Sequence, residues 1–371
     1  MKDWPSIFDN MTDEEFENML IEMGVDFKKV GPGEGGITYK GQLYQNIDDY
    51  DKAVARERMK NKMEKKVSII TPCFNGEEFI ERYLISILNQ TYINIELILI
   101  NDGSTDKTEE IIKSYIPLFK RKGMDIIYLY QENLGQAAAL NKGLKVFSGD
   151  YLTWPDSDDI LTIDSIEKKV KFLENNPQYS IVRTDGNVVN ENDINKVLYK
   201  FSDKKKKVTN NLFLNTILEK DTWIASGCYM IRTDSFINCI QDRTIYECRG
   251  GQNWQMLLPI LYKNKCGYIN ESLYIYVIRH NSHSHINEDL YSDLEKCKIH
   301  EDILINTINS ITMSDDEKEK YIKIIKEKYA RKKFDIAIKY KDKTLISKFY
   351  NNIKQEYKVT LKEKIKFLYF S

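Results

Sequence analysis

The sequence lacks the marks of several protein classes. None of its six cysteines (Cys73, Cys228, Cys239, Cys248, Cys266, Cys297) forms a CxxC pair or a short regular spacing. That argues against a disulfide scaffold and a structural zinc site, and fits a reducing cytoplasm. Charge of one sign is also missing, since 55 basic residues stand against 56 acidic ones. Proteins that grip nucleic acid through its phosphates are distinctly basic, so nucleic acid is not an expected partner. No stretch approaches the roughly eighteen apolar residues of a transmembrane helix. The first residues carry acids and a Trp where a secretory signal needs a basic and then an apolar run. No HExxH occurs, so zinc hydrolysis has no support. Internal repeats and low-complexity tracts are absent as well.

The 371 residues suffice for one large domain or two moderate ones. Everything is organised around residues 67–106. Residues 67–71, VSIIT, form a β-rich apolar run ended by Pro72, and read as a buried strand. Asn75 and Gly76 make a turn. A helix over 77–90 then puts Phe79, Ile80, Tyr83, Leu84, Ile87 and Leu88 on one face. A second apolar run over 95–100 leads into Asn101-Asp102-Gly103-Ser104. Strand, helix and strand at this spacing make a βαβ unit, with its ligand site expected at the carboxyl ends of the parallel strands.

Upstream, residues 1–66 read as a helical extension. Thr12 and Glu15 fit a capping box before Phe16, Met19, Leu20 and Met23, and Gly24 stops that helix. The GPGEGG stretch at 31–36 lacks both a preceding strand and a Lys-Ser/Thr ending, so it reads as a loop. A charged helix is expected over 48–66. Downstream, helices are expected over 107–119, 133–146, 162–175, 211–218 and 254–263. Strands are expected over 125–130, 151–154, 223–233 and 269–278. Residues 181–210 are less periodic, and the lysine run at 204–207 reads as a solvated loop. Beyond 287 the chain is helical and polar. Its last residues, LKEKIKFLYFS, suit a helix docked on its own domain better than a membrane-surface or partner helix.

Asp156, Asp158 and Asp159 follow the 151–154 strand directly after Pro155. Carboxylates this crowded repel one another unless they face water or a cation. Hard oxygen donors suit Mg²⁺ or Mn²⁺, and such an ion typically keeps waters while gripping a diphosphate. The cluster falls on the same sheet edge as Asp102.

The motifs SIITPCFNGEEFI, ELILINDGSTDKT, ENLGQAAALNKGL and DYLTWPDSDD occur in this order over about 67–160. Together they resemble the inverting nucleotide-sugar glycosyltransferases of family 2. A looser likeness continues through IASGCYMIR, GQNWQMLLPI and YVIRHNSHS to about residue 285. The resemblance implies an α/β GT-A (Rossmann-like) fold: a central, mostly parallel sheet flanked by helices, with helical extensions at both ends. It divides the chain into an extension (1–66), a catalytic domain (67–286) and a C-terminal helical region (287–371). Within the catalytic domain, 67–160 would bind nucleotide and metal and 161–286 the acceptor.

The same resemblance assigns roles. Thr71, Pro72 and Phe74 would line the base pocket, and Asp102 would hydrogen-bond the base. Asn133, Gly135, Gln136 and Asn141 would start the helix beside the diphosphate. Asp156 and Asp158 would be the DxD pair, with Asp156 near ribose and metal, Asp158 the main metal ligand, and Asp159 in support and among the catalytic candidates with Glu247, Gln252 and Asn253. His280, beside Arg279, would reach the diphosphate. Ser226 and Gly227 would shape the sugar side, although a tight strand bend explains Gly227 equally well.

The catalytic base departs from the family pattern. Gln252-Asn253-Trp254-Gln255 stands where the family carries Glu-Asp before a Trp-containing helix, and an amide cannot act as a base near neutral pH. Three explanations stay open: a nearby carboxylate such as Glu247 or Asp242 serves, the base lies elsewhere, or the mechanism is altered. Glu247 is the candidate carried forward, with Gln252 and Asn253 contacting sugar hydroxyls.

The function expected is transfer from a nucleotide-sugar, a UDP-sugar by preference, to a glycan, lipid-linked or protein acceptor, with Mn²⁺ or Mg²⁺ and with inversion. Such an enzyme would work in cell-envelope biosynthesis, in the cytoplasm or at the inner face of the membrane. Peripheral membrane contact and a homodimer stay open. The alternatives are a nucleotide-sugar-binding protein with lost or altered catalysis, and a nucleotidyltransferase.

Overall fold

Two strands, β3 (Val67–Cys73) and β4 (Ile95–Asp102), are buried at every position on both faces. That is the signature of a sheet covered on each side by helices. In the computed structural model the described residues are 37–39, 42–44, 65–205, 211–248, 250–279 and 289–370. The expected helices over 12–23 and 48–64, the 31–36 stretch, and His280, His283 and His285 lie outside them. Lys65 and Lys66 are not helical. The Lys66 amide donates to Asp150 and its carbonyl accepts from Tyr151, so both residues run alongside the next strand. Two short strands, β1 (Ile37–Tyr39) and β2 (Gln42–Tyr44), pair antiparallel.

Helix α1 (Ile80–Leu88) crosses from β3 to β4, α2 (Thr108–Lys122) to β5 (Asp125–Gln131), and α3 (Gln136–Leu144) to β6 (Tyr151–Thr153). These four strands run parallel in the order β5-β4-β3-β6. Pro72, expected to end the first strand, sits inside it in register with Ile100. β6 pairs with β3 only at Val67, Ser68 and Ile69, so at Pro72 that flank carries no ladder and tolerates a residue without an N–H. At the opposite end Glu96 is buried, but its carboxylate accepts from the Ser68 hydroxyl and from both the amide and hydroxyl of Ser148. A satisfied carboxylate there fastens β3, β4 and the turn before β6.

The second half of the sheet is mixed. It comprises β7 (Ile160–Leu161), β8 (Ile181–Asn190), β9 (Asp193–Lys200), β10 (Tyr229–Arg232) and β11 (Cys266–Ile278). β10 runs antiparallel to β6 and β8, while β11 runs parallel to β8 and antiparallel to β7. The β8–β9 hairpin occupies the stretch expected to be irregular. Its Arg-Thr-Asp-Gly-Asn sequence hides a strand because the polar groups are satisfied internally. The Arg183 guanidinium lies 4.4 Å over the Trp223 ring and donates to Thr222, while Asp185 accepts from Gly186 and Ser202. The strand expected over 223–233 begins later, after a 3-10 turn over Ser226–Cys228.

Helices α4 (Ser165–Asn175), α5 (Phe201–Lys204), α6 (Leu212–Leu218), α7 (Thr233–Cys239) and α8 (Gln252–Lys263) surround this half. The chain continues into α9 (Leu290–Ser310), α10 (Asp315–Lys339), α11 (Lys343–Glu356) and α12 (Leu361–Phe370). Ile303, Leu304, Ile325 and Tyr329 of α9 and α10 share the main core with the sheet, whereas Phe334, Ala337, Ile346 and Ile353 form a smaller second cluster. All six cysteines are free.

One buried cation positions the 3-10 turn. Lys169 on α4 is fully buried, and its ammonium donates to the Gly227 carbonyl at 2.5 Å. Burial pushes its pKa down to about 8 from 10.5. The folded state therefore sheds this proton at lower pH than the unfolded chain does, and wild type should gain stability as pH rises from about 8 to about 10. Denaturant unfolding of wild type and Lys169→Met across that window should show the difference moving toward wild type by up to about 3 kcal/mol. A difference that stays flat would mean Lys169 is not held in this desolvated state.

Candidate active site

The loops after β3 and β4 interlock at the carboxyl edge of the sheet. Asn75 accepts from the Thr105 amide, and its own amide donates to the Ser104 hydroxyl. Asp106 accepts from the Glu77 amide, and Glu77 in turn accepts from the Lys107 amide. Much of the polar content of these two motifs fixes one loop against the other. Asp102 has a comparable task. Its oxygens accept from Gln131 at 2.8 Å and from the Leu134 and Gly135 amides at 3.0 Å each. Gly135 sits at φ 93°, a region open to glycine, which lets its amide face Asp102 just as α3 begins.

From that helix start Gln136 donates to Asp156 Oδ1 at 2.8 Å, and Ser226 donates to Asp156 Oδ2 at 2.8 Å. Both donors are neutral, so burial, reinforced by neighbouring Asp158, pushes the Asp156 carboxyl up to about 6. Asp158 accepts from Arg279 through Nε and Nη2, each at 3.0 Å. The same guanidinium lies 4.1 Å over the Phe79 ring, and Arg82 donates to the Asp158 carbonyl at 2.7 Å. Asp159 is buried and accepts from the Tyr274 hydroxyl and, at 2.8 Å, from the Val277 amide. Burial and its two acidic neighbours raise its pKa well above the ordinary carboxyl range. Asp159, a catalytic candidate by sequence, has both oxygens engaged here, and these bonds pin the acidic loop to β11.

Gly227 resolves in favour of packing. A Cβ there would meet the Tyr274 ring at 2.0 Å, so glycine is needed for the ring whose hydroxyl holds Asp159. Thr71 is also buried, its hydroxyl 2.5 Å from that of Tyr83 and donating to the Pro155 carbonyl at 3.2 Å. It fastens the acidic turn from behind. Pro72 is buried, whereas Phe74 and Asn133 are half-buried on the loop side. His280 lies outside the described residues, and Arg279 beside it makes the contact to the acidic loop.

Around the site, Asn141 clamps the 245–247 loop. It accepts from the Ile245 amide and donates to the Ile245 carbonyl and, at 3.3 Å, to Glu247. Glu247 is exposed and is held by the same helix whose first residue, Gln136, reaches Asp156. Asp242 belongs to the far end of α3, where Lys145 donates to its carbonyl. Asn253 accepts from the Trp154 indole at 2.9 Å, and Gln252 is buried at the start of α8. Arg82, Tyr274 and the specific task of Ser226 were not foreseen. Each reaches the loop from a distant element, with no local pattern to announce it.

Among the described residues no group of three or more His, Cys, Asp or Glu side chains is arranged to hold a metal. Asp156 and Asp158 nevertheless fit a hard divalent cation. Both are oxygen donors, Asp156 resists carrying its charge beside Asp158, and two ligands leave room for phosphate and water.

Residues 68–239 match the family model described as Glycosyl transferase family 2. An uncharacterised glycosyltransferase of Haemophilus influenzae is 46% identical over 121 residues, covering 33% of this chain and 46% of that one. The chain spans less than half the length of the curated relatives it first matches. Among solved structures, Staphylococcus aureus TarS 1-349 in complex with UDP-GlcNAc superposes with a TM-score of 0.56 at 18% identity, over 82% of this chain and 79% of that one. The mannosyltransferase PcManGT of Pyrobaculum calidifontis, in complex with GDP-Man and Mn²⁺, gives 0.50 at 12% identity, over 86% and 88%. The fold is GT-A, and residues 68–239 are similar to the family 2 glycosyltransferases.

The strained carboxyl supplies a test. With its folded pKa near 6 against 3.8 unfolded, Asp156 binds more protons when folded across that window, so stability falls as pH rises through it. Asp156→Asn should therefore melt higher than wild type at about pH 7.5 in chelator, with the advantage shrinking toward about pH 4. A variant that melts lower at both pH values would mean that Asp156 is stabilising as an anion.

Proposed function

We propose that this chain transfers a sugar from a UDP-sugar to a hydroxyl of a glycan, lipid-linked or protein acceptor, with inversion. The observation that carries this reading is the convergence of Asp156 and Asp158 with Gln136, Ser226 and Arg279 at the carboxyl edge of β3 and β4.

Asp156 and Asp158 would hold Mn²⁺ or Mg²⁺. Bound there, a divalent cation neutralises the charge that builds on the departing diphosphate. Arg279 lies against Asp158 and can turn a guanidinium fork toward the same phosphates. Phe74 and the Asp102-ordered loop at 133–135 bound the place where nucleotide would enter. The Asn253 carboxamide accepts from Trp154, which leaves its N–H donors for sugar hydroxyls. Glu247, exposed and clamped by Asn141, takes the acceptor proton.

The reading is tested by UDP release from a panel of UDP-sugars with Mn²⁺. Wild type should release UDP from one donor. Glu247→Gln should lose about a hundredfold or more in kcat while binding UDP as before. Donor bound without release would point to a binding protein, and pyrophosphate release from a nucleoside triphosphate with a sugar phosphate would point to a nucleotidyltransferase. Full activity in Glu247→Gln would place the base elsewhere.

A further inference from the structure

The C-terminal helix presents an apolar stripe to solvent. Leu361, Ile365, Leu368 and Tyr369 are 74%, 59%, 79% and 80% exposed. With about 100° between successive helical residues, these four fall in one arc of roughly 100°. Exposed Lys364 bounds one edge of the arc and exposed Lys362 the other. The opposite side of the helix is already engaged. Phe367 stacks on Tyr350 with ring centroids 4.0 Å apart, Phe370 packs on the second core cluster, and Lys366 pairs with Asp335. The only acid of the helix, Glu363, is turned inward against Arg331. The docked face is therefore complete without the stripe, and the outer face carries four apolar side chains and cations alone.

We propose that α12 docks the chain on an anionic lipid bilayer. Leu361, Ile365, Leu368 and Tyr369 enter the boundary between headgroups and acyl chains, and Lys362 and Lys364 lie along lipid phosphates at either edge. The charge pattern favours this occupant over a second copy of the helix, because a twofold pairing through the stripe would set lysine edges against lysine edges. No helix among the described residues is long and apolar enough to cross a membrane, so the contact is peripheral. This inference is independent of the donor site.

The full chain is sedimented with vesicles of phosphatidylcholine alone and of phosphatidylcholine with about a third phosphatidylglycerol, at about 0.1 M and about 0.5 M salt. Binding is expected to the anionic vesicles only, and to weaken at high salt. The paired variant Ile365→Ser with Leu368→Ser, and the paired variant Lys362→Glu with Lys364→Glu, should each lose about tenfold in vesicle affinity. Neither touches the inward face of α12, so melting temperature and UDP binding should stay at wild-type values. Equal binding to both vesicle types, or binding that survives both paired variants, overturns the proposal. So does a wild-type dimer that fails to sediment with lipid and becomes monomeric in the Ile365→Ser, Leu368→Ser variant, since a second copy would then cover the stripe.

Discussion

Placing three carboxylates within four residues at one sheet edge is the constraint on which the rest of the site depends. Each is handled by a different part of the chain. Asp159 is buried and tied to β11, Asp158 is paired with Arg279, and Asp156 is held by neutral donors from α3 and the 3-10 turn. Asp156 and Asp159 both have neutral donors alone in this set, and burial raises the pKa of each. A loop built this way is fastened at Asp158 and Asp159, while the half-buried Asp156 at its start keeps only neutral donors. That combination suits a site meant to receive a cation together with a phosphate group.

The second half of the sheet exists, in physical terms, to hold that loop. β11 supplies Tyr274, Val277 and Arg279 from one strand and its end, and its pairing with β7 draws the residues just after the cluster into the sheet. The 3-10 turn before β10 supplies Ser226, and α4 fixes that turn through Lys169. The first half contributes rigidity in another way, through the interlocked loops after β3 and β4 and through Asp102, which orders the entry to α3. Many of the polar motif residues thus hold one loop against another.

Much of this was legible because the first half is local. Apolar runs, the helical faces between them and the order of the four motifs gave the parallel strands and the acidic edge without tertiary information. The failures were non-local. The β8–β9 hairpin was missed because buried Arg183 and Asp185 look like loop residues until Thr222, Trp223 and Ser202 are packed against them. Spacing likewise does not reveal that a distant Tyr274 and Val277 occupy both oxygens of Asp159. Gly227 was undecidable between substrate approach and packing until the Tyr274 ring was seen beside it. Pro72 reads locally as a strand end, and its place inside β3 depends on where β6 stops.

The most direct measurement is calorimetric titration of the purified chain with UDP, GDP and dTDP, each with and without Mn²⁺, on wild type and Asp158→Ala. Binding of UDP in preference to the other two, dependent on Mn²⁺ and weakened about tenfold or more in the variant, is the predicted result. Binding that ignores both the metal and Asp158, or no binding of any of the three, would contradict it. The acidic edge from Asp156 to Asp158 would then serve the fold without gripping a diphosphate.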